Sequence, residues 1–170
     1  MAAVFSEKDT EVLRYDLPFR QERPHGPPRP VDAARDREGL RSELLRIRET
    51  EPEHLWLGGH SYGGRQASML AAEEPGLIDA LLLLSYPLHP PRKPNQLRTA
   101  HFPKLQTPAM FVSGSRDPFG SLDELKSAVA LIPAPVNLLE IDGAGHDLGR
   151  DPSKVTVRIV SGFLAWAHNR

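Results

Sequence analysis

A glycine-flanked serine, Gly59-His60-Ser61-Tyr62-Gly63, stands between the apolar run Leu55-Trp56-Leu57 and the small-residue stretch Arg65-Gln66-Ala67-Ser68-Met69-Leu70. Apolar strand, Gly-x-Ser-x-Gly and helix in that order leave few folds open. The pattern describes a strand that turns into a helix so sharply that the residue at the tip is strained and its side chain is thrust clear of the sheet. Glycines are expected on both sides because a Cβ there would collide with neighbouring backbone. A serine so placed is a candidate nucleophile. The backbone N–H of Tyr62 and the positive end of the following helix both point to where an oxyanion would form.

The remaining chain alternates strand and helix. Residues 1–8 read as the tail of a helix, and residues 11–15 as a strand. The five prolines Pro18, Pro24, Pro27, Pro28 and Pro30 predict a surface loop. Residues 32–50 read as a helix with Leu40, Leu44 and Ile47 on one face. Residues 54–58 form the strand that feeds the serine turn, and the helix after the turn ends near Glu74, stopped by Pro75-Gly76. Residues 80–84, Ala-Leu-Leu-Leu-Leu, are a continuous apolar run, the signature of a strand buried on both faces. A connection over residues 86–108 carries six prolines. Residues 109–112 form another buried strand, ending in Gly114-Ser115-Arg116-Asp117. Ser121 and Glu124 make a capping box for a helix that runs to about Leu131. Residues 136–141 are the last strand. Asp151-Pro152 is expected to cap a final helix with Val155, Ile159, Phe163 and Trp166 on one face.

Such alternation implies an α/β fold: a three-layer sandwich with a mostly parallel sheet covered on both faces, in a single domain over residues 1–170. Reactive groups in such sheets collect at the carboxyl ends of the strands. Ser61 follows one strand end, Asp117 another, and His146 follows the last strand through Asp142-Gly143-Ala144-Gly145. Ser, Asp, His is the chain order of one fold among the several that host this chemistry. Asp142 and Asp147 flank His146, but neighbours on a tight loop rarely reach their own histidine's far nitrogen, so Asp117 is the better placed. Of the seven histidines, His60 reads as packing beside the turn. His89 is open between a pocket-lining and a structural role. Arg65 reads mainly as the partner of a carboxylate beneath it, with a substrate-carboxylate role as the second option.

The absence of cysteine excludes disulfides, thiolate metal sites and a cysteine nucleophile. A formal net charge of −1 gives no electrostatic reason to expect nucleic acid or an anionic membrane. No signal peptide opens the sequence, and the most apolar stretch, residues 77–88, is too short and interrupted to span a bilayer. A cytoplasmic protein without cofactor or metal is expected.

The chain resembles an α/β-hydrolase of the lid-less, dienelactone-hydrolase-like group, which includes the hydrolase-like domains of the NSL chromatin-complex subunit and its testis-expressed relatives. The stretches that carry the resemblance are residues 13–19, Gly59-x-Ser61-x-Gly63-Gly64-Arg65, Tyr86-Pro87-Leu88-His89-Pro90-Pro91, Gly114-x-Arg116-Asp117-Pro118-Phe119-Gly120 and Gly143-x-Gly145-His146. The resemblance implies a serine hydrolase acting on a small acyl ester or thioester. Ser61 would be the nucleophile, His146 the general base and then acid, and Asp117 the group that orients the imidazole. A catalytically weak binding or assembly module on the same fold is the alternative class. One departure stands out. Members of the group begin with further strands and a His-Gly loop that supplies a second oxyanion N–H, and this chain starts too late to include them. His25-Gly26 is no substitute, since it follows the wrong strand and Pro27 and Pro28 have no N–H. The resemblance places the missing central strand between residues 11–15 and residues 54–58. The expectation is therefore a truncated product, or direct pairing of those two strands. Weak hydrolysis with Tyr62 as the one oxyanion donor is also expected, together with self-association through an exposed sheet edge.

Overall fold

The leucines of residues 80–84 explain the layering. Alternate side chains of a strand point to opposite faces, so Leu81 and Leu83 pack into one core while Ala80 and Leu82 pack into another. The computed structural model describes residues 1–149 and 152–169. It contains four parallel strands in the order β1 (Trp56–His60), β2 (Ala80–Leu84), β3 (Ala109–Gly114) and β4 (Val136–Ile141). Helices α3 (Ala33–Arg48), α4 (Tyr62–Glu73) and α5 (Leu122–Val129) cover one face, where Leu40, Leu44, Leu70 and Leu125 meet Leu81, Leu83 and Phe111. The short α1 (Ala2–Ser6) and the long α6 (Pro152–Ala167) cover the other, where Phe5, Ile159, Val160 and Phe163 meet Leu82, Met110 and Val112. This is a three-layer α/β/α sandwich, and β3, buried along its whole length, lies at its centre. Ser121 caps α5 as its spacing predicts: its Oγ accepts from Glu124 N–H and Glu124 returns the bond to Ser121 N–H. The expected cap at Asp151 lies outside the described residues. Among those described, no helix is long and apolar enough to cross a membrane.

Residues 11–15 are the one predicted strand that does not form. They are irregular in structure and pair with nothing in the sheet, so direct pairing of this segment with β1 is also wrong. The segment crosses from one layer to the other. Val12 packs into the α6 core and Tyr15 and Leu17 into the α3 core, with α2 (Pro18–Glu22) following. Extended propensity without a neighbouring strand gives no ladder, and burial of Val12, Tyr15 and Leu17 decides the path instead. The strand predicted as residues 54–58 also shifts forward to Trp56–His60, and it is the edge of the sheet. Ser61 N–H bonds Leu84 O toward β2. Alternation then directs the peptide groups of Trp56, Gly58 and His60 outward, and Gly58 and His60 are exposed. A groove of about 250 Å³ runs beside this edge, between Tyr15, Leu17 and Phe19 on one side and Gly58, Gly59, His60 and Gly63 on the other.

Candidate active site

Ser61 sits in the turn from β1 to α4 with φ 51° and ψ −116°. A positive φ at a non-glycine residue is strained. The strain is held from both sides: Ser61 N–H bonds Leu84 O at 2.8 Å, and Ser61 O accepts the N–H of Arg65 at 3.0 Å. Only part of the expected glycine logic survives. A Cβ on Gly59 would lie 2.4 Å from Gly64 N, and one on Gly64 would lie 2.6 Å from Gly59 O, whereas a Cβ on Gly63 would meet nothing within 4 Å. The glycines that the turn requires are therefore Gly59 and Gly64, where strand end and helix start touch backbone to backbone. Gly63 faces the groove instead. Gly64→Ala should lower stability by at least about 2 kcal/mol, because the clash is with rigid backbone. Gly63→Ala should leave the melting midpoint close to wild type. Thermal unfolding of the two variants side by side checks the contrast.

The structure brings Ser61, Asp117 and His146 together. His146 Nε2 lies 2.8 Å from Ser61 Oγ, and His146 Nδ1 lies 2.8 Å and 3.1 Å from the two carboxylate oxygens of Asp117. The Asp117 side chain is almost wholly buried while that of His146 keeps 23 % of its surface. One carboxylate oxygen of Asp117 also accepts the N–H of Phe119, and the Phe119 ring lies against the imidazole at 4.2 Å. Gly114 brings β3 against the histidine loop: a Cβ there would stand 2.3 Å from Ala144 O. Asp142 and Asp147 are engaged elsewhere, Asp142 by Ser115 Oγ and Asp147 by Gly149 N–H. Tyr62 is the first residue of α4, so its N–H belongs to the open end of the helix beside Ser61.

The other candidates fall differently. His60 is tied to the site: its Nε2 lies 2.8 Å from His146 O, and the two rings are 5.1 Å apart. His89 does not line the groove. It is buried, with Nδ1 donating to Pro90 O and Nε2 at 3.6 Å from Glu124, and its own N–H bonds Phe119 O. It thus holds in place the loop that carries Phe119. Arg65 departs from the expectation of a carboxylate beneath it, since no carboxylate among the described residues reaches its guanidinium. Residues 25–26 are a turn whose carbonyl at Gly26 is taken by Arg20.

Asp36 escaped the reading of the sequence. It is fully buried on α3 and accepts two bonds, from Phe19 N–H at 2.9 Å and from Tyr62 Oη–H at 2.7 Å. Burial and the adjacent carboxylate push the Tyr62 phenol upward in pKa, so it remains a donor. Asp36 thereby fixes the residue whose N–H follows the serine. A signal was available in the sequence: Asp36 stands four residues before Leu40 and eight before Leu44, on the apolar face of the helix.

Comparison with known proteins places the fold in a family. Residues 1–158 match the family described as alpha/beta hydrolase domain, and the chain belongs to the α/β-hydrolase family. Its fold is similar to an alpha-beta serine hydrolase homologue from Coxiella burnetii at 18% identity and TM-score 0.65, covering 81% of this chain and 62% of that one. It is similar also to a dienelactone hydrolase from Anabaena variabilis at 22% identity and TM-score 0.59, covering 79% of this chain and 59% of that one. Est1E from Butyrivibrio proteoclasticus is a third, at 15% identity and TM-score 0.63, covering 81% of this chain and 72% of that one. The match thus spans only about three fifths of the length of the first two structures.

Proposed function

We propose that the chain is a serine hydrolase that cleaves a small acyl ester or thioester through Ser61, His146 and Asp117. The observation that carries this reading is the continuous relay, 2.8 Å from Ser61 Oγ to His146 Nε2 and 2.8 Å from His146 Nδ1 to Asp117. Nε2 accepts the hydroxyl proton as Ser61 Oγ attacks the carbonyl carbon, and the imidazolium that forms is stabilised by the buried carboxylate of Asp117. The oxyanion develops against Tyr62 N–H at the amino end of α4. His146 then delivers the proton to the departing alcohol or thiol, and a water molecule repeats the sequence on the acyl-enzyme. The groove beside Gly59, His60 and Gly63 is where a small acyl group would lie. With Tyr62 as the one donor identified, turnover should fall about a hundredfold to a thousandfold below that of a site with two. A covalent probe is therefore a better test than turnover. A fluorophosphonate should label the wild type and fail to label Ser61→Ala. Absence of labelling in the folded wild type would overturn the reading.

A hydrolase-like binding or assembly module is the second reading, favoured by the open β1 edge with its outward peptide groups at Trp56, Gly58 and His60. It predicts an inert Ser61 together with concentration-dependent self-association in sedimentation experiments.

A further inference from the structure

His146 stands on the loop that leaves β4, while Ser61 turns off β1, and the sheet order puts β2 and β3 between them. With neighbouring strands about 4.8 Å apart, the loop has roughly 14 Å of sheet to reach across. Its backbone anchors lie on the near side. Arg116 N–H bonds Ala144 O at 2.9 Å, Gly143 N–H bonds Ser115 Oγ at 2.8 Å, and Gly114 packs against the Ala144 carbonyl. All three partners belong to β3 or to the turn just after it. Beyond His146 the loop bonds to itself, Leu148 N–H to Gly145 O and Gly149 N–H to the Asp147 carboxylate. The serine turn is held from one side as well, because β1 is the edge of the sheet and pairs only with β2.

Among the described residues, two hydrogen bonds cross from the loop to the β1 end and its turn. One joins Ser61 Oγ to His146 Nε2. It cannot fix the distance between them, since Oγ swings about χ1 and the bond is given up when the proton moves and Oγ is acylated. The other joins His60 Nε2 to His146 O at 2.8 Å. A carbonyl oxygen only accepts, so His60 Nε2 carries a proton and donates it to this bond. The bond links the residue immediately before the nucleophile to the backbone of the base. It touches no reacting atom, so it need not break at any step. The two rings also meet, at 5.1 Å and a tilt of 59°, a contact that lacks the direction of a hydrogen bond.

We propose that His60 is a positioning residue for the base. Its imidazole N–H braces the His146 carbonyl, so that His146 Nε2 stays within reach of Ser61 Oγ before attack and of the incoming water once Oγ carries the acyl group. The role rests on the hydrolase reading above. Misplacing a catalytic group by about 1 Å costs on the order of a hundredfold in rate, and a base carried on a loop anchored from one side is open to that loss.

Two substitutions separate the bond from the ring. His60→Phe keeps a ring beside His146 and removes the donor. His60→Gln removes the ring and keeps an amide N–H at the reach of imidazole Nε2. His60 is exposed, so both variants should melt close to wild type. Fluorophosphonate should label Ser61 about tenfold to a hundredfold more slowly in His60→Phe, and His60→Gln should recover most of that loss. Amide hydrogen exchange reads the brace without chemistry. Exchange at Leu148 and Gly149, whose N–H groups are bonded within the loop, should quicken in His60→Phe and return toward wild type in His60→Gln. Labelling of His60→Phe at the wild-type rate, or of His60→Gln as slowly as His60→Phe, overturns the positioning role and leaves the hydrolase reading standing. Slower labelling with exchange unchanged in both variants also overturns it, and assigns the effect to passage of the probe beside residue 60. A folded wild type that takes no label overturns the hydrolase reading and the positioning role together, and exchange then reports a loop anchor alone.

Discussion

Asparagine at position 117 should slow phosphonylation of Ser61 by roughly ten thousandfold and leave the fold intact. Asn is the same shape as Asp, and its carbonyl oxygen can still accept the Phe119 N–H that Asp117 now receives at 2.9 Å. The amide nitrogen would then face His146 Nδ1 and donate to it. Nδ1 would become an acceptor, and the ring proton would move to Nε2, the atom 2.8 Å from Ser61 Oγ. A protonated Nε2 cannot take the serine's proton. The second-order rate of fluorophosphonate labelling measures the loss, with near-ultraviolet circular dichroism as the check on fold. Asp142→Asn and Asp147→Asn should label at the wild-type rate, because their carboxylates bond Ser115 and Gly149. If either behaved as Asp117→Asn is expected to, and Asp117→Asn did not, the wrong carboxylate would have been assigned.

Alanine at position 36 should cost about 2–6 kcal/mol of stability, from two donors stranded at about 1–3 kcal/mol each. Asp36 has no exposed surface, and its partners would lose their acceptor, Phe19 N–H in a buried place and Tyr62 Oη–H in a part-buried one. Against a typical total of about 5–15 kcal/mol, that loss could unfold the chain at moderate temperature. Urea denaturation measures it. Asp36→Asn separates the bonds from the charge: its carbonyl oxygen serves Phe19 N–H, and its amide can donate to the Tyr62 hydroxyl oxygen. It should recover most of the stability. An Asp36→Ala variant as stable as wild type would show that neither bond matters, and that Tyr62 is held by its ring contact with Phe19.

The sequence by itself determined the periodic elements and the order of the reactive residues. The unbroken apolar run at residues 80–84 specifies a strand buried on both faces, and an apolar strand followed by Gly-x-Ser-x-Gly admits little but a sharp turn. Both signals are local, and the strands β2 and β4 and the helices α3 to α5 follow them closely. Residues 11–15 mark the limit. Their pattern suits a strand, yet a strand exists only through its neighbour, and no local pattern can say whether a neighbour is there. Which glycines the elbow needs was equally out of reach. Gly59 and Gly64 are five residues apart in the chain and meet only because the turn folds them together. The reach of Asp117 to His146, which the loop argument favoured but could not measure, and the burial of Asp36 under Tyr62 are likewise distances between residues far apart in sequence. They come from the packing of separate elements, and tertiary structure alone decides them.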